Sequence, residues 1–176
     1  MKHWSFVVSW MSSDAHPKSG DFGYGSFMSG SSVCGSKSMP EATRTYETVL
    51  YADDLDAAAK FYTEGFGLKL LGQADIMLVL GIGENYVLIF DAAKSSIPGR
   101  DVPSHGMTGQ GHIAFTAEDH ELPAWRERLT KAGIEIESEV SWGDNGERGT
   151  SVYVRDPAGN SVELAPPILW SHLGVR

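Results

Sequence analysis

The chain has 176 residues, 41% of them hydrophobic and 21% charged, with a formal net charge of −9 and a pI near 5.0. This is a globular composition, long enough for one domain with a real core or for two small fused modules. The acidity argues against gripping nucleic acid or an anionic membrane through bulk charge, and no apolar run reaches membrane-span length. The single cysteine, Cys34, excludes an intramolecular disulfide framework and a cysteine zinc site.

The opening MKHWSFVVSWM places Lys2 before a short apolar stretch, Trp4 to Trp10, the outline of a signal peptide. That stretch is short and holds two serines. A tail, an expression remnant or a start upstream of a natural one at Met39 accounts for it better, and a cytoplasmic location is expected. Residues 11–39 are rich in Ser and Gly without helical or strand periodicity, so residues 1–43 are expected to form a flexible segment. Residues 1–40 carry three lysines and two aspartates, a net of +1, which leaves −10 on the remainder.

From residue 44 the pattern becomes regular. Tyr46 to Ala52 reads as a strand, and Asp54 is placed to cap a helix from Leu55 to Phe66, with Leu55, Ala58, Ala59 and Tyr62 at helical spacing and Gly65 and Gly67 to end it. Strands are expected at Leu68–Leu71, Ile76–Leu80 and Tyr86–Phe90, with a turn at Gly81 to Asn85. Residues 93–110 read as a long loop rich in Pro and Gly, the kind that often serves function. The order then recurs: a strand at Gly111–Thr116, Asp119 at a helix start, a helix over Leu122–Ala132 with Pro123 in its first turn, then strands at Ile134–Val140, Thr150–Arg155 and Ser161–Ala165. The chain from 44 onward is thus two tandem βαβββ units, about 44–92 and 111–170, of roughly 55 residues each. Laid on one another, TYETVLYADDLDAAAKFY matches QGHIAFTAEDHELPAWRE, with Glu47 over His112 and Asp54 over Asp119. ENYVLIF lies on GNSVELA, with Leu88 over Glu163.

Within RDPAGNSVEL, the turn Asp-Pro-Ala-Gly-Asn leads into a short apolar strand with one carboxylate, Glu163, at its centre. If that side chain faces water it needs no explanation; if it faces an interior it needs a partner, and a metal ion is the obvious one.

YETVLYADDLDAAAKFY, GHIAFTAED and VYVRDPAGNSVELA resemble the vicinal oxygen chelate superfamily, whose members include glyoxalase I, extradiol dioxygenases, fosfomycin-resistance thiol transferases and bleomycin-binding resistance proteins. The resemblance covers residues 44 to about 170 and implies an α+β fold in which tandem βαβββ modules form a curved mixed sheet or partial barrel around a cleft, commonly in a homodimer, sometimes with modules of two chains sharing one cleft. It places metal ligands at Glu47, His112 and Glu163. The fourth position, a metal-binding Glu in glyoxalase I, falls on Leu88, which cannot ligate. One imidazole and two carboxylates suit Mn, Ni, Co, Zn or Mg acting as a Lewis acid, and suit iron less, since non-haem iron oxygenases favour two His and one carboxylate. Glu163 or Glu47 would also serve as the catalytic base, Glu163 being the better by analogy.

Taken singly, Glu47 or Glu163 is an ordinary strand carboxylate and His112 an ordinary hydrogen-bonded histidine; their shared register in a repeated unit is what joins them. Candidate substrate contacts are Arg148 and Arg155, either of which could clamp an anion or end in a surface ion pair. Tyr153 lies on a polar strand face, His105 could close from the linker, and Trp142 could wall a pocket, as could Trp170. No glycine-rich phosphate cradle opens a helix, which argues against a nucleotide cofactor. The expected activity is a glyoxalase-like lyase or isomerase on a small oxygenated substrate chelated to a divalent metal. The alternatives are a metal-free sequestering protein of the bleomycin-resistance kind and an extradiol-type dioxygenase.

Overall fold

The computed structural model describes residue 42 and residues 44–173; the expectations for residues 1–40 lie outside them. Two four-stranded mixed sheets make up the architecture. The first holds β1 (Glu47–Tyr51), β2 (Lys69–Gln73), β3 (Met77–Ile82) and β4 (Asn85–Phe90), in the order β1-β4-β3-β2. The second holds β5 (His112–Thr116), β6 (Ile136–Ser141), β7 (Thr150–Arg155) and β8 (Ser161–Ala165), in the order β5-β8-β7-β6. In each, the first and last strands are parallel and the other pairings antiparallel. Neither sheet closes into a barrel.

The repeat extends to register. Leu88 pairs with Val49, two residues after Glu47, and Glu163 pairs with Ala114, two residues after His112. Even the irregularities correspond, since β2 bulges between Leu70 and Gly72 and β6 between Ile136 and Ser138. Those bulges carry β2 and β6 further along the chain than alternation alone suggests, because an extra residue resets the in–out pattern.

Helix α1 (Leu55–Lys60) starts as expected, with the Asp54 side chain accepting from Ala57 N at 2.9 Å. Its continuation, Phe61–Gly65, is a π turn rather than more α-helix. Phe61 and Tyr62 of this turn are both buried in the core. In the second module a 3₁₀ turn, Asp119–Glu121, precedes α3 (Leu122–Lys131). Glu118 and Glu121 form its capping box, whereas Asp119 accepts from Thr150 N at 2.8 Å and ties the turn to β7. The linker begins with a short helix, α2 (Ala92–Ser95), because Asp91 caps it through Lys94 N. Among the described residues no helix is long and apolar enough to cross a membrane.

One core serves both modules. Leu50, Leu78, Leu80, Val87 and Ile89 of the first sheet and Ile113, Phe115, Val152, Val162 and Leu164 of the second belong to a single cluster with Tyr62, Phe66 and Leu129. Each sheet therefore gives one face to this core and turns the other away.

A buried polar knot fastens the modules at the ends of their first strands. Asn160 donates through Nδ2 to Tyr51 O at 3.0 Å and to Asp156 Oδ2 at 2.8 Å, and its Oδ1 accepts from Gly111 N at 2.7 Å. Asp156 Oδ2 also accepts from the Tyr62 hydroxyl at 2.9 Å, and burial together with that carboxylate keeps the Tyr62 phenol protonated. Gly111 is needed here, since a Cβ would stand 3.1 Å from Asn160 Oδ1 and 3.0 Å from Leu50 Cδ2. Asn160→Ala strands Gly111 N, Tyr51 O and part of Asp156 at once. We expect a loss of about 2–4 kcal/mol, seen as a lower urea midpoint at unchanged slope; an unchanged midpoint would show the knot to be dispensable.

Candidate active site

Strand parity and register set out the second faces as two small grids. On the first sheet, Glu47, Tyr86 and Gly81 form one row, Val49, Leu88 and Val79 the next, and Tyr51, Phe90 and Met77 the third. On the second sheet the rows are His112, Ser161 and Arg155, then Ala114, Glu163 and Tyr153, then Thr116 and Ala165, with Ser151 two residues before Tyr153 on the same face. Large apolar groups dominate the first grid, and small or polar groups the second.

The second grid brings titratable side chains into contact. Glu163 is buried, at 6% exposure, between Ala114 and Tyr153 on this face. Its Oε2 stands 3.2 Å from His112 Nε2, and its Oε1 accepts from the Tyr153 hydroxyl at 2.9 Å. Burial, and then the hydrogen bond to Glu163, raise the Tyr153 phenol above its ordinary range, so it stays a donor. The apolar strand thus keeps its carboxylate because two side chains on neighbouring strands hold it. Trp142 joins this face, half-buried, with Nε1 donating to Ser151 Oγ at 2.8 Å.

Of the other predicted site residues only Arg155 shares this face, at its edge. Glu47 is exposed on the first sheet, and among the described residues no three His, Cys, Asp or Glu side chains come together as a metal set. Glu47 lies on the first sheet and His112 and Glu163 on the second, and the inner faces of both sheets are given to the shared core. His105 packs on the first sheet, not the second: Nδ1 meets the Tyr51 hydroxyl at 2.8 Å, and the ring sits edge-on to Phe90 at 4.6 Å between centroids. Arg155 lies on the Glu163 face at its edge, where Glu137 binds it in a two-point ion pair at 2.7 and 3.1 Å and Gly159 O takes a further N–H. Its guanidinium is already engaged by its own chain, the ordinary fate of a surface Arg. Arg148 sits in the loop after β6, its backbone N donating to Trp142 O, with Glu147 as the charge beside it. Trp170 is exposed.

Tyr51, Phe90 and Ser151 were missed as members of these faces. Parity would have found them, since Tyr51 is four residues after Glu47 and Ser151 two before Tyr153.

His112 and Glu163 suit a divalent ion in donor type. Their 3.2 Å separation also suits, since two donors each about 2.1 Å from one ion stand about 3.0–3.4 Å apart. It equally suits a direct ion pair. Two donors from one chain leave a metal short of the three protein ligands that hold a catalytic ion.

Residues 45–164 match the family model described as the Glyoxalase/Bleomycin resistance protein/Dioxygenase superfamily. A comparison with curated proteins finds no match. Among solved structures, lactoylglutathione lyase from Agrobacterium tumefaciens is similar at 39% identity and TM-score 0.68, over 74% of this chain and 98% of that one. A fosfomycin resistance protein from Listeria monocytogenes, complexed with Mn(II) and sulfate, is similar at 18% identity and TM-score 0.56, over 76% and 99%. A virulence protein from Salmonella typhimurium is similar at 22% identity and TM-score 0.54, over 72% and 98%. The last two likenesses are of fold alone. With the paired βαβββ sheets, the match across most of the repeat and the 39% identity together, the chain belongs to the glyoxalase/bleomycin resistance/dioxygenase superfamily.

Proposed function

We propose that the protein is a metal-dependent, glyoxalase-like lyase or isomerase whose cleft is built by two copies of the chain. His112 and Glu163 of one copy and Glu47 of the other would hold the ion. The observation that carries this reading is the buried His112–Glu163–Tyr153 cluster on a face turned away from the core, with Glu47 at the position equivalent to His112 on the other sheet. The likeness to a lactoylglutathione lyase supports lyase chemistry.

A divalent ion bound there supplies Lewis acidity to a substrate carbonyl or hydroxyl oxygen. The chain's own part is proton transfer. A Glu163 carboxylate oxygen would take the proton from the hydroxyl-bearing carbon beside the polarised carbonyl and return it to the carbonyl carbon, while the hydroxyl proton passes to the carbonyl oxygen; one carbon is oxidised as its neighbour is reduced, and no external oxidant or reductant is needed. Tyr153 keeps Oε1 in place and stays protonated through the cycle, because its phenol is raised by burial and by that bond. Ala114 and Ser161, on the strands beside and around Glu163, leave room for substrate. Trp142 screens the face from water on the Ser151 side.

A second reading, a metal-free sequestering protein, is favoured by one observation: both carboxylate oxygens of Glu163 are met by side chains of its own chain, His112 and Tyr153. The experiment that separates the readings is elemental analysis of protein stripped with chelator and then supplied with Mn(II), beside a thermal melt with and without chelator. About one ion per chain, and a midpoint lowered by chelator, are expected, since an ion bound only by the native state stabilises it. No uptake of Mn(II), Ni(II), Co(II) or Zn(II) would leave the sequestering protein.

A further inference from the structure

The linker between the modules carries an arginine whose charge the rest of the chain does not match. Arg100 is half-buried, and its Nε is the one buried side-chain nitrogen or oxygen without a hydrogen-bond partner among the described residues. Ser95 O, at the end of α2, accepts from Nη2 and is the guanidinium's only partner among the described residues. No carboxylate pairs with it there, although the chain is acidic and Arg44, Arg126 and Arg155 each have a glutamate. Asp91, before α2, is taken by Lys94, whose backbone N and Nζ each stand 3.0 Å from it, and Asp101 is exposed. A guanidinium drawn partly out of water without a countercharge is destabilising, and a bound anion offsets that cost.

His105 stands beside this group. Its backbone N donates to the same Ser95 O at 3.1 Å, and two donors sharing one oxygen lie within about 6 Å of each other. The ring is fixed from two sides, edge-on to Phe90 and joined through Nδ1 to the Tyr51 hydroxyl at 2.8 Å. With that hydroxyl donating, the neutral imidazole carries its proton on Nε2, a second side-chain donor near the guanidinium. Tyr51 is four residues along β1 from Glu47, about 13 Å away, so this corner is separate from the candidate metal ligands.

We infer that Arg100 and His105 seat a compact oxyanion, the carboxylate or phosphate of a small-molecule ligand. A guanidinium presents its N–H groups as a planar fork that fits the oxygens of such a group, and partial burial strengthens the attraction. Ser95 O holds the guanidinium, and Tyr51 and Phe90 hold the imidazole, before any ligand arrives, so little conformational freedom remains to be lost on binding. The seat uses no metal, and it stands or falls separately from the ion proposed at Glu47, His112 and Glu163.

The test uses the full chain stripped of metal with chelator, at fixed pH and ionic strength, with inorganic phosphate and acetate as probes. Binding is followed by the His105 ring resonances in NMR, assigned with His105→Gln. A saturable shift is expected, with affinity lowered about tenfold or more in Arg100→Gln. Arg100→Lys keeps the charge without the fork and is expected to fall between the two; it carries the comparison if Arg100→Gln does not fold by urea unfolding. Saturation with phosphate alone supports a phosphate ligand, and with acetate alone a carboxylate. No saturable shift with either probe overturns the inference, as does equal affinity in the unaltered protein and the Arg100 variants. Neither result bears on metal uptake, which is measured on separate samples.

Discussion

A mixture of Glu47→Ala chains and His112→Ala chains, unfolded and refolded together, is expected to bind metal that neither variant binds alone. The reasoning begins with the core. Both sheets commit their inner faces to one apolar cluster, so the face bearing Glu47 and the face bearing His112 and Glu163 each look away from it. A two-fold pair can bring the first face of one copy against the second face of the other, in two equivalent clefts. In a mixed pair, one cleft then takes its Glu47 from the His112→Ala chain and its His112 and Glu163 from the Glu47→Ala chain, and is complete. The other cleft lacks both. Random pairing makes half the pairs mixed, so metal content should recover to about one quarter of the unaltered level. A site within a single chain predicts no recovery, and that result would sink the shared cleft while leaving the fold untouched.

Glu163→Gln is expected to abolish metal binding, and Tyr153→Phe to weaken it by about 10–100-fold, the usual cost of removing a group that orients a ligand. The amide keeps the shape and can still accept from the Tyr153 hydroxyl, but it lacks the charge that binds an ion. The phenylalanine keeps the ring on its strand and removes only the hydrogen bond to Oε1. The readout is the dissociation constant for Co(II), followed by its visible absorption, alongside urea unfolding of both variants. The pattern matters more than either number. A structural role for the Tyr153–Glu163 pair would lower stability in both variants without a selective loss of metal. Metal affinity unchanged in Glu163→Gln would remove that carboxylate from the ligand set and strengthen the sequestering reading, for which the carboxylate is held only by His112 and Tyr153.

The sequence by itself determined the repeat and almost every element in it. Alternation of apolar residues, Asp54 before a helical stripe and glycines at the turns are local signals, written in neighbouring residues and read by short-range physics. The overlay of Glu47 on His112 and of Leu88 on Glu163 followed from the repeat, and the strand registers reproduce it. Where local reading slipped, a local device was responsible: a bulge in β2 and β6, and a π turn after Lys60.

What only the tertiary structure decided was company. That Glu163 is held by Tyr153 and His112, that Arg155 is taken by Glu137, and that His105 rests on Tyr51 and Phe90 all depend on contacts between strands or loops far apart in the chain. Period and propensity carry no term for such contacts. The separation of Glu47 from the other two candidate ligands is of the same kind: it follows from which faces of two sheets enter one core, a choice made by burial of the whole apolar set and by no residue alone.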